Sequence, residues 1–466
     1  MLKTLIIIPP DPRGHEYTRE MRCQEKREVL GTLKPPLTPA LLCALFREHN
    51  IPFMAIENLS AAHAAAHMQH KGFSPDLILM PTCTPTITRD MDFAKKLKQI
   101  TGATTAAFGP HTSGIPIQTL EEFPGLDIAL VAEPEQACLA LARAQDPASV
   151  PGLAYRHADR GIVLNNPQSA DSNLDSLPIP DWSQFDLSRY RVPLFGKRFL
   201  LVELSRGCPY HCNFCVVPLT HAGRVREKST DRVIREIKHQ KKTHGISFFY
   251  FWGDTAVYNP CTMEALADRI ISEHLDIQWI SNTRPEAIIN IDYARKLQRS
   301  GCRVLSMGAE SGDPGTLARM GKNLDISKLK AAVRTLRAAK IQSFIFFMFG
   351  YPGETIQSMR RTRDLALSLN PDYANFYPVV PYPGTPLWNL CVEQGLLRGS
   401  DWSRVDFTDY VLSQPGLPAN QVMRLVRRVR RDFYLRPEYM LRTLKHIGAP
   451  ARALQILKSI PAYFDL

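Results

Sequence analysis

The segment Ser205-Arg-Gly-Cys-Pro-Tyr-His-Cys-Asn-Phe-Cys215 carries three cysteines within eight residues, directly after an apolar run at 199–204. Thiolates on one short loop are typical ligands of an iron–sulfur cluster, and three of them leave one iron of a four-iron cluster open to another ligand. A structural zinc ion would need a fourth nearby ligand. His211 adjoins Cys212 and is poorly placed to complete the same tetrahedron. The pattern therefore predicts that an iron–sulfur cluster is held by Cys208, Cys212 and Cys215.

The sequence around and beyond this segment alternates apolar runs with amphipathic stretches. Strands are predicted at 199–204, 247–251, 277–281, 303–307, 343–348 and 373–379. Helices are predicted near 229–243, 262–274, 291–300, 325–339 and 354–369. Six such units predict a partial (β/α)6 barrel of the TIM type, whose chemistry takes place at the carboxyl ends of its strands. The three cysteines follow the first of these strands, so the cysteine segment is expected at the chemically active end.

The N-terminal third shows a separate β/α alternation. Strands are predicted at 4–8, 52–56, 76–80, 103–108 and 127–131, with helical patterns such as 40–48 and 93–100 between them. Five strands separated by helices predict a doubly wound parallel sheet. The runs 152–156 and 161–165 indicate a small hairpin. The prolines in Ser176-Leu-Pro-Ile-Pro-Asp-Trp182 mark a linker, because proline does not continue a helix.

These patterns predict an α/β protein in four parts. A Rossmann-type domain with the doubly wound sheet covers 1–147, and the hairpin with the linker covers 148–195. The partial barrel covers 196–385, and a helical C-terminal extension covers 386–466. A chain of 466 residues is long enough for two or three domains.

Composition and charge restrict the function less than the motifs do. The net charge of +12 suits either an anionic partner or a solvated basic surface, so it does not choose between them. No apolar stretch reaches the roughly 18 residues of a membrane span, and the run at 4–8 is too short for a signal sequence. We therefore expect a cytoplasmic protein whose ten cysteines stay reduced. In that setting a tight cysteine cluster indicates metal or redox chemistry.

The spacing C-x3-C-x2-C, in the loop after a first barrel strand, resembles the radical S-adenosylmethionine (SAM) superfamily. The resemblance implies an enzyme in which the open iron of a [4Fe–4S] cluster is chelated by the amino and carboxylate groups of SAM. Electron transfer from the reduced cluster then cleaves the sulfonium to methionine and a 5′-deoxyadenosyl radical. An electron donor of the flavodoxin or ferredoxin type is implied as a partner.

Turns at successive strand ends extend this resemblance. Phe251-Trp-Gly-Asp-Thr255 is similar to the family segment that binds the ammonium group of SAM, which implies that role for Gly253 and Asp254. Gly308-Ala-Glu-Ser-Gly-Asp313 is similar to the segment near the ribose and carboxylate, which implies Glu310 and Ser311. Phe349-Gly-Tyr-Pro-Gly-Glu-Thr355 resembles the loop along the adenine, where Gly350 and the aromatic Phe214 are implied. No further catalytic residue is predicted.

The chain resembles most closely the subgroup with an N-terminal cobalamin-binding domain, which includes hopanoid-biosynthesis proteins and anaerobic magnesium-protoporphyrin monomethyl ester cyclases. The matching pieces are Phe108-Gly-Pro-His111, Ala132-Glu-Pro-Glu135 and the linker. The resemblance implies cobalamin contacts at Thr82, Gly109, Pro110 and His111. The chain lacks the Asp-x-His-x-x-Gly motif that supplies a cobalt ligand in many cobalamin domains. The alternative is a domain of the same fold that serves only as a lid or substrate platform.

A different family with an N-terminal α/β domain and this barrel is the methylthiotransferases. These enzymes hold a second cluster with three cysteines of the first domain, and Cys23, Cys43 and Cys83 lie in that part. Cys43 falls on the apolar face of a helical pattern, where a buried thiol is the ordinary explanation. The usual motifs of that family are absent from the sequence. Four other cysteines are interpreted as structural: Cys138, Cys261, Cys302 and Cys391.

The C-terminal extension contains a basic amphipathic helix. Between residues 419 and 447 there are eight Arg or Lys residues against two acidic ones. Apolar residues fall on one helical face, and the arginines lie largely around the others. Such a helix can rest on anionic lipid or pack on the barrel with its arginines in water. Nucleic acid is not expected as a partner, because stacking aromatics are not interleaved with the basic residues.

Taken together, the sequence predicts cobalamin-dependent C-methylation of an unactivated carbon in a bulky, hydrophobic substrate. The segment 433–439 resembles a C-terminal segment of family members that act on tetrapyrroles and isoprenoid lipids. Radical ring closure, oxidation or carbon-skeleton chemistry on such substrates is an open alternative. A non-catalytic iron–sulfur or corrinoid-binding module is a further alternative, which the set of strand-end motifs disfavours.

Overall fold

A computed structural model describes residues 1–20, 24, 26, 32–166, 173–192, 195–221, 225–399 and 401–446, without the side chains of 443–446. Two large sheets organise this part of the chain, one of seven strands and one of six. Helices alternate with the strands of both sheets along the sequence.

The first sheet comprises seven strands: β1 (Thr4–Ile8), β2 (Phe53–Glu57), β3 (Leu77–Pro81), β4 (Thr104–Phe108), β5 (Ile128–Leu130), β6 (Leu153–His157) and β7 (Gly161–Leu164). Its order is β2-β1-β3-β4-β5-β6-β7. The helices of this part are α1 (Leu37–Glu48), α2 (Ala61–His70), α3 (Ile87–Thr101), α4 (Pro110–Gly114), α5 (Pro116–Glu122) and α6 (Glu135–Ala142). The order reverses between β1 and β3, and at such a point doubly wound sheets bind ligands.

The predicted doubly wound sheet is confirmed in its five parallel strands. The strand β3 is buried along its whole length, as expected for a parallel strand covered by helices on both faces. The predicted hairpin is β6 and β7, and β6 pairs antiparallel with β5. The hairpin therefore extends the sheet instead of standing apart from it.

The second sheet is the predicted partial barrel. Its strands are β10 (Leu200–Glu203), β13 (Phe248–Trp252), β14 (Gln278–Asn282), β15 (Cys302–Glu310), β16 (Gln342–Phe349) and β17 (Tyr373–Pro378), parallel and in sequence order. Two short antiparallel pairs flank β10: β8 (Arg191–Val192) with β9 (Lys197–Arg198), and β11 (Ser205–Arg206) with β12 (Arg226–Glu227). The helices are α7 (Val217–His221), α8 (Thr230–His244), α9 (Pro260–Ser272), α10 (Ile291–Arg299), α11 (Pro314–Arg319), α12 (Ile326–Ala338), α13 (Ile356–Leu369) and α14 (Pro386–Glu393).

Capping residues explain where the barrel helices begin. The Ser229 hydroxyl accepts a hydrogen bond from the Arg232 amide, and α8 starts at the next residue. Asp325 accepts from two backbone amides at the start of α12 in the same way. Side-chain oxygens at the N-cap satisfy amides that the helix leaves without a partner. The predicted helices at 229–243 and 325–339 each include the cap itself, which accounts for their one-residue offset.

The predicted linker is packed into the core. Trp182 is fully buried within the main apolar cluster, and the Asp181 amide donates to the Ala40 carbonyl in α1 over 2.9 Å. Large apolar side chains contribute most to burial energy, so this tryptophan anchors the linker against the first sheet. The Asp181–Trp182 end of the predicted linker is thus fixed against α1.

The C-terminal extension begins with α15 (Ala419–Tyr434) and α16 (Pro437–His446). The apolar face of α15 is fully buried against the barrel through Val422, Val426, Val429 and Phe433. Arg430, which the sequence placed with the solvated arginines, is instead buried and donates to the Phe376 carbonyl of β17 over 2.9 Å. No helix in the described ranges is long and apolar enough to cross a bilayer.

Candidate functional site

The three clustered cysteines lie on the loop between β11 and α7, and all three are half-buried. Among the other described cysteines, five are buried and one is exposed: Cys43, Cys83, Cys138, Cys302, Cys391 and Cys261. Within the described residues, no three His, Cys, Asp or Glu side chains are already arranged around a metal position. The loop therefore gathers three accessible thiols, which side-chain rotation would have to bring onto one cluster.

The start of the cysteine loop lies against the turn that follows β13. The Gly207 amide, next to Cys208, donates to Asp254 Oδ2 over 2.8 Å. Gly253 has no room for a side chain, because a Cβ atom there would lie 2.6 Å from the Ser205 hydroxyl oxygen. The structure thus places Gly253 and Asp254, the predicted ammonium contacts, directly beside the cysteine loop.

The middle of the cysteine loop is held from the opposite side. The Asn213 side chain donates to the Arg319 carbonyl over 2.7 Å and accepts from the Tyr351 hydroxyl over 2.8 Å. Burial raises the pKa of the Cys212 thiol, and the nearby Lys322 ammonium opposes that rise. Loop residues with several side-chain anchors keep one conformation, so the thiols are presented from a fixed backbone.

Glu310, the last residue of β15, is buried and held on both carboxylate oxygens. Lys322 Nζ donates to Oε1 over 2.9 Å, and the Tyr377 hydroxyl donates to Oε2 over 3.1 Å. The backbone of Glu310 has φ +60°, a left-handed conformation that costs about 1 kcal/mol or more in a residue with a side chain. The two hydrogen bonds maintain this conformation at the carboxyl end of the barrel, where the sequence predicted a SAM contact.

Ser311, predicted beside Glu310 as a SAM contact, is engaged elsewhere. Its hydroxyl lies 3.1 Å from the Thr362 hydroxyl of α13 and accepts from the Asp313 amide over 3.1 Å. The side chain is fully buried. These contacts fasten the loop after β15 to α13, and a contact with SAM stays a prediction.

Gly350 follows β16 in a left-handed conformation with φ +82°. A Cβ atom there would lie 2.5 Å from the Tyr410 ring, whose hydroxyl donates to the Gly350 carbonyl over 2.8 Å. Glu354 accepts from the Gly350 amide over 2.8 Å, and burial raises the pKa of this carboxyl to about 7. The turn is therefore rigid. Phe214, the other predicted adenine contact, is half-buried and packs on the main core.

The four predicted cobalamin contacts follow β3 and β4 at the carboxyl edge of the first sheet. The Thr82 amide donates to the Phe108 carbonyl over 2.8 Å, which holds the two loops together. Gly109 has φ +139°, and a Cβ atom there would collide with the Thr82 carbonyl. Pro110 begins α4 and is buried. The structure thus brings all four predicted residues into one small region.

His111 is fully buried in this region. Its Nδ1 lies 3.3 Å from the Thr84 hydroxyl, and its ring meets the Trp402 ring edge-on with centroids 4.9 Å apart. Burial lowers the pKa of His111 to about 3, so the ring is uncharged near neutral pH. Its Nε2 has no hydrogen-bond partner in the described part of the chain. An uncharged ring with a free nitrogen can still accept a hydrogen bond from a ligand.

The segment around Trp402 covers the meeting point of the two sheets, which the sequence did not predict. Trp402 Nε1 donates to both Glu122 oxygens, over 2.9 and 3.0 Å, and its ring stacks on Trp388 of α14 with centroids 5.5 Å apart. One side chain thus touches the first sheet's helices and the barrel's helices. No periodicity or motif in the sequence marks this residue.

A small cavity lies where the strand order of the first sheet reverses, between the ends of β1, β2 and β3. Its volume is about 50 Å³, and its polar lining includes Asp11, Arg19, Glu20 and Lys34. That volume holds a few water molecules and no large ring. Burial raises the pKa of Glu20 to about 8. A bulky ligand at this edge would need the covering segments to move.

A buried group of charged side chains, the interdomain ion cluster, joins the two sheets. Its members are Glu133 from the loop after β5, Glu135 at the start of α6, Glu203 of β10, Arg206 of β11 and Arg226 of β12. Arg206 binds Glu133 over 2.9 Å, Glu135 over 2.7 Å and Glu203 over 2.8 Å. Arg226 also binds Glu133, with one contact of 3.2 Å. Burial alone would raise the pKa of Glu203, but Arg206 and Lys228 lower it to about 2.

The backbones of the two sheets also meet directly. A Cβ atom on Gly384, in the loop after β17, would lie 2.5 Å from the Cα atom of Gly114 at the end of α4. Gly384 has φ +80°. The carboxyl edge of the first sheet and that of the barrel therefore face each other across a contact without side chains.

Cys43 and Cys83, the first-domain cysteines that methylthiotransferase chemistry would use, are both fully buried. Burial raises the pKa of Cys83 to about 12, and its sulfur lies 3.2 Å from the Thr86 hydroxyl. Neutral, enclosed thiols are poor cluster ligands. Cys23 lies outside the described residues.

Comparison with known proteins places this site in a family. Residues 202–366 match the model of the radical SAM superfamily. An uncharacterized methyltransferase of Pyrococcus horikoshii is 29% identical over 458 residues, which cover 96% of each chain. The anaerobic magnesium-protoporphyrin IX monomethyl ester cyclase of Cereibacter sphaeroides is 26% identical over 424 residues, or 88% of this chain and 68% of the cyclase.

A solved structure shares the whole arrangement of the two sheets. It is that of OxsB, a cobalamin-dependent S-adenosylmethionine radical enzyme with aqua-cobalamin and S-adenosylmethionine bound. The TM-score is 0.74 at 14% identity, with 100% of this chain and 71% of OxsB covered. At this identity the similarity establishes the fold.

Proposed function

We propose that this chain, whose residues 202–366 match the radical SAM model, is a radical SAM enzyme that methylates an unactivated carbon of a bulky, hydrophobic substrate with the help of cobalamin. The observation that carries the proposal is that the two carboxyl edges face each other. A hydrogen atom must be removed and a methyl group delivered at the same carbon, so both reagents have to reach that carbon within one site. Edges that meet at Gly114 and Gly384 provide that geometry.

On the barrel side, the chain's own residues would hold the cluster and SAM. When bound, these two groups supply the 5′-deoxyadenosyl radical that removes a hydrogen atom from the substrate. Three half-buried thiols on one anchored loop fit a [4Fe–4S] cluster with one open iron, and these are Cys208, Cys212 and Cys215. The Asp254 carboxylate lies beside that loop and would bind the ammonium group. Glu310, fixed by Lys322, would orient the remainder of SAM.

On the first-sheet side, the residues fit a ligand whose rim carries hydrogen-bonding groups. The Nε2 atoms of Gln24 and His111 are buried and have no hydrogen-bond partner among the described residues. A buried polar group without a partner costs about 1–3 kcal/mol, which a ligand's amides would recover. Cobalamin carries such amides and supplies a methyl group when bound. Its entry would require the segments that line the present small cavity to move apart.

A small apolar cluster at the carboxyl end of the barrel favours an apolar substrate. A separate buried cluster consists of Val216, Val380, Tyr382 and Val405. Val216 directly follows the last cysteine of the loop, and Val380 follows β17 at the carboxyl end of the barrel. Apolar walls bind apolar surface at about 25 cal/mol per Å². We infer a tetrapyrrole or an isoprenoid lipid as the substrate class.

The test uses the full chain, reconstituted anaerobically with iron and sulfide, loaded with hydroxocobalamin and desalted. We expect stoichiometric corrinoid in the ultraviolet–visible spectrum and 5′-deoxyadenosine after addition of SAM and a flavodoxin or ferredoxin donor. Deuterated-methyl SAM should label the corrinoid and then a tetrapyrrole or polyprenoid acceptor. Deoxyadenosine without bound corrinoid would reject methylation and leave ring closure, oxidation or skeletal chemistry. Absence of both deoxyadenosine and a labelled acceptor would leave the non-catalytic alternative.

The exposed face of the C-terminal helices is proposed to rest on an anionic membrane that stores such a substrate. Arg424, Arg428 and Arg431 fall on one exposed face of α15 at helical spacing, and the exposed Leu435 follows directly after the helix. Leu441 of α16 is 60% exposed nearby in sequence. Basic residues next to exposed apolar ones suit anionic headgroups, at about 1 kcal/mol for each charge.

Flotation with phosphatidylglycerol vesicles measures this membrane contact. Arg428→Glu with Arg431→Glu should lower the bound fraction by roughly 10-fold or more, since two attractive charges become repulsive. Arg295→Glu with Arg299→Glu on α10 makes the same charge change on a different surface and should bind like the wild type. Equal loss in both double variants would point to net charge alone and contradict a defined face.

A further inference from the structure

Glu133 lies in the loop after β5 of the first sheet, and it contacts both ends of the segment that carries the three cysteines. Its Oε2 binds Arg206, two residues before Cys208, over 2.9 Å. Its Oε1 lies 3.9 Å from Nδ1 of His221, the last residue of α7. One carboxylate from the other sheet therefore brackets residues 206–221.

The same contacts reach the predicted ammonium site. His221 Nδ1 lies 3.5 Å from Asp254 Oδ2, and that oxygen also accepts the Gly207 amide. His221 is buried, and neither ring nitrogen has a hydrogen-bond partner in the described part of the chain. A shift of Glu133 would thus reach Asp254 through Arg206 and the loop backbone, while the His221 ring fills the space between the two carboxylates.

Net stability is a poor explanation for this arrangement. The side chains of Arg206 and Glu135 are 3% and 4% exposed. Removing such charges from water costs several kcal/mol for each ion, which their mutual attraction roughly cancels. What a buried ion pair does fix is position, because each partner is costly to leave unpaired. The interdomain ion cluster therefore fixes the positions of the segments that carry its charged residues.

We propose that Glu133 is a positioning residue through which the first sheet sets the cysteine loop and Asp254 for SAM cleavage. It acts through Arg206, which precedes the cysteine loop, and through Arg226, which pairs with Arg206 across β11 and β12, and it does not itself touch the cluster or SAM. The inference rests on the radical reaction of the proposed function and deepens it, since the first sheet then acts on SAM cleavage as well as facing the barrel. Outer contacts of this kind typically change activity by roughly 10–100-fold when removed.

The test compares Glu133→Gln with Asp127→Asn in the full, reconstituted chain. Asp127 stands just before β5 and Glu133 just after it, so both variants remove one negative charge next to the same strand. Asp127 lies at the amino end of β5, where it binds Lys98 and Thr105 and, within the described residues, has no contact with the cysteine loop. Three quantities are measured: iron content, the electron paramagnetic resonance spectrum of the reduced cluster with and without SAM, and the rate of 5′-deoxyadenosine formation.

Glu133→Gln should keep wild-type iron content, alter the change that SAM makes in the spectrum, and slow deoxyadenosine formation roughly 10–100-fold. Asp127→Asn should match the wild type in all three. If the glutamine variant fails to fold, Glu133→Asp takes its place. Aspartate keeps the charge at a shorter reach, so it should show a smaller change in the same direction. A glutamine variant with wild-type spectrum and rate would overturn the inference. These readouts need neither corrinoid nor substrate, so failure of methyl transfer would leave them interpretable.

Discussion

Cys212→Ala is expected to abolish SAM cleavage, with deoxyadenosine formation at the level of a sample without enzyme. The cluster has three cysteine ligands for its four irons. With two thiolates left, two irons would lack a protein ligand, and the cluster would lose iron. Cys212 lies in the middle of the loop, and its backbone carbonyl accepts the Cys215 amide. Alanine preserves that backbone contact while removing the sulfur. Iron analysis, the spectrum of the reduced cluster and deoxyadenosine measured together check the result.

Cys261→Ala is the matched control for this prediction. Cys261 is the exposed cysteine on α9, and the same substitution there removes a thiol that no proposed site uses. It should retain the iron content and activity of the wild type. If Cys212→Ala retained both as well, the cysteine loop would not be the cluster site and the proposed reaction would lose its source of radicals.

Gly384→Ala is expected to destabilise the protein by about 3 kcal/mol and to loosen the contact between the two sheets. The new Cβ atom would lie 2.5 Å from both the Cα and the carbonyl oxygen of Gly114, which are backbone atoms that cannot rotate away. Overpacking of this kind costs about 1–3 kcal/mol, and the left-handed conformation at φ +80° adds about 1 kcal/mol for a residue with a side chain. Denaturant unfolding measures the free energy directly.

Gly395→Ala separates the two contributions to that loss. Gly395 is also left-handed, at φ +62°, but no atom lies within 4 Å of a Cβ atom built there. It should therefore lose only the conformational part, about 1 kcal/mol. Gly384→Ala should in addition impair corrinoid retention, because the facing edges move apart. Equal losses of stability in the two variants would show that the sheets tolerate separation at Gly114.

Much of the fold was predictable because its signals are local. The apolar runs at 4–8 and 373–379 correspond to β1 and β17 within one residue, since strand burial is set by consecutive side chains. Five parallel strands with intervening helices constrain the first sheet to a few arrangements. Gly253 and Gly350 stand directly after strand ends, and there a side chain would collide with a neighbouring residue.

Other features were beyond sequence reasoning because they depend on residues far apart in the chain. Trp402 and Glu122 are 280 positions apart, yet their hydrogen bond covers the edge of the first sheet. The burial of Arg430 also follows from β17, whose Phe376 carbonyl accepts its guanidinium. A pattern of arginines around a helix cannot reveal which of them meets an unpaired carbonyl.

Three cysteines on one loop after a barrel strand can be recognised without a structure, because ligand spacing is a property of consecutive residues. The two series of alternating strands and helices, and their order along the chain, can be recognised in the same way. Three features become visible in the folded chain alone: the carboxyl edges face each other, Trp402 contacts both Glu122 and Trp388, and Glu133 reaches across to Arg206. Those contacts arise from packing between distant segments, and their free energy is gained only when the whole chain has folded.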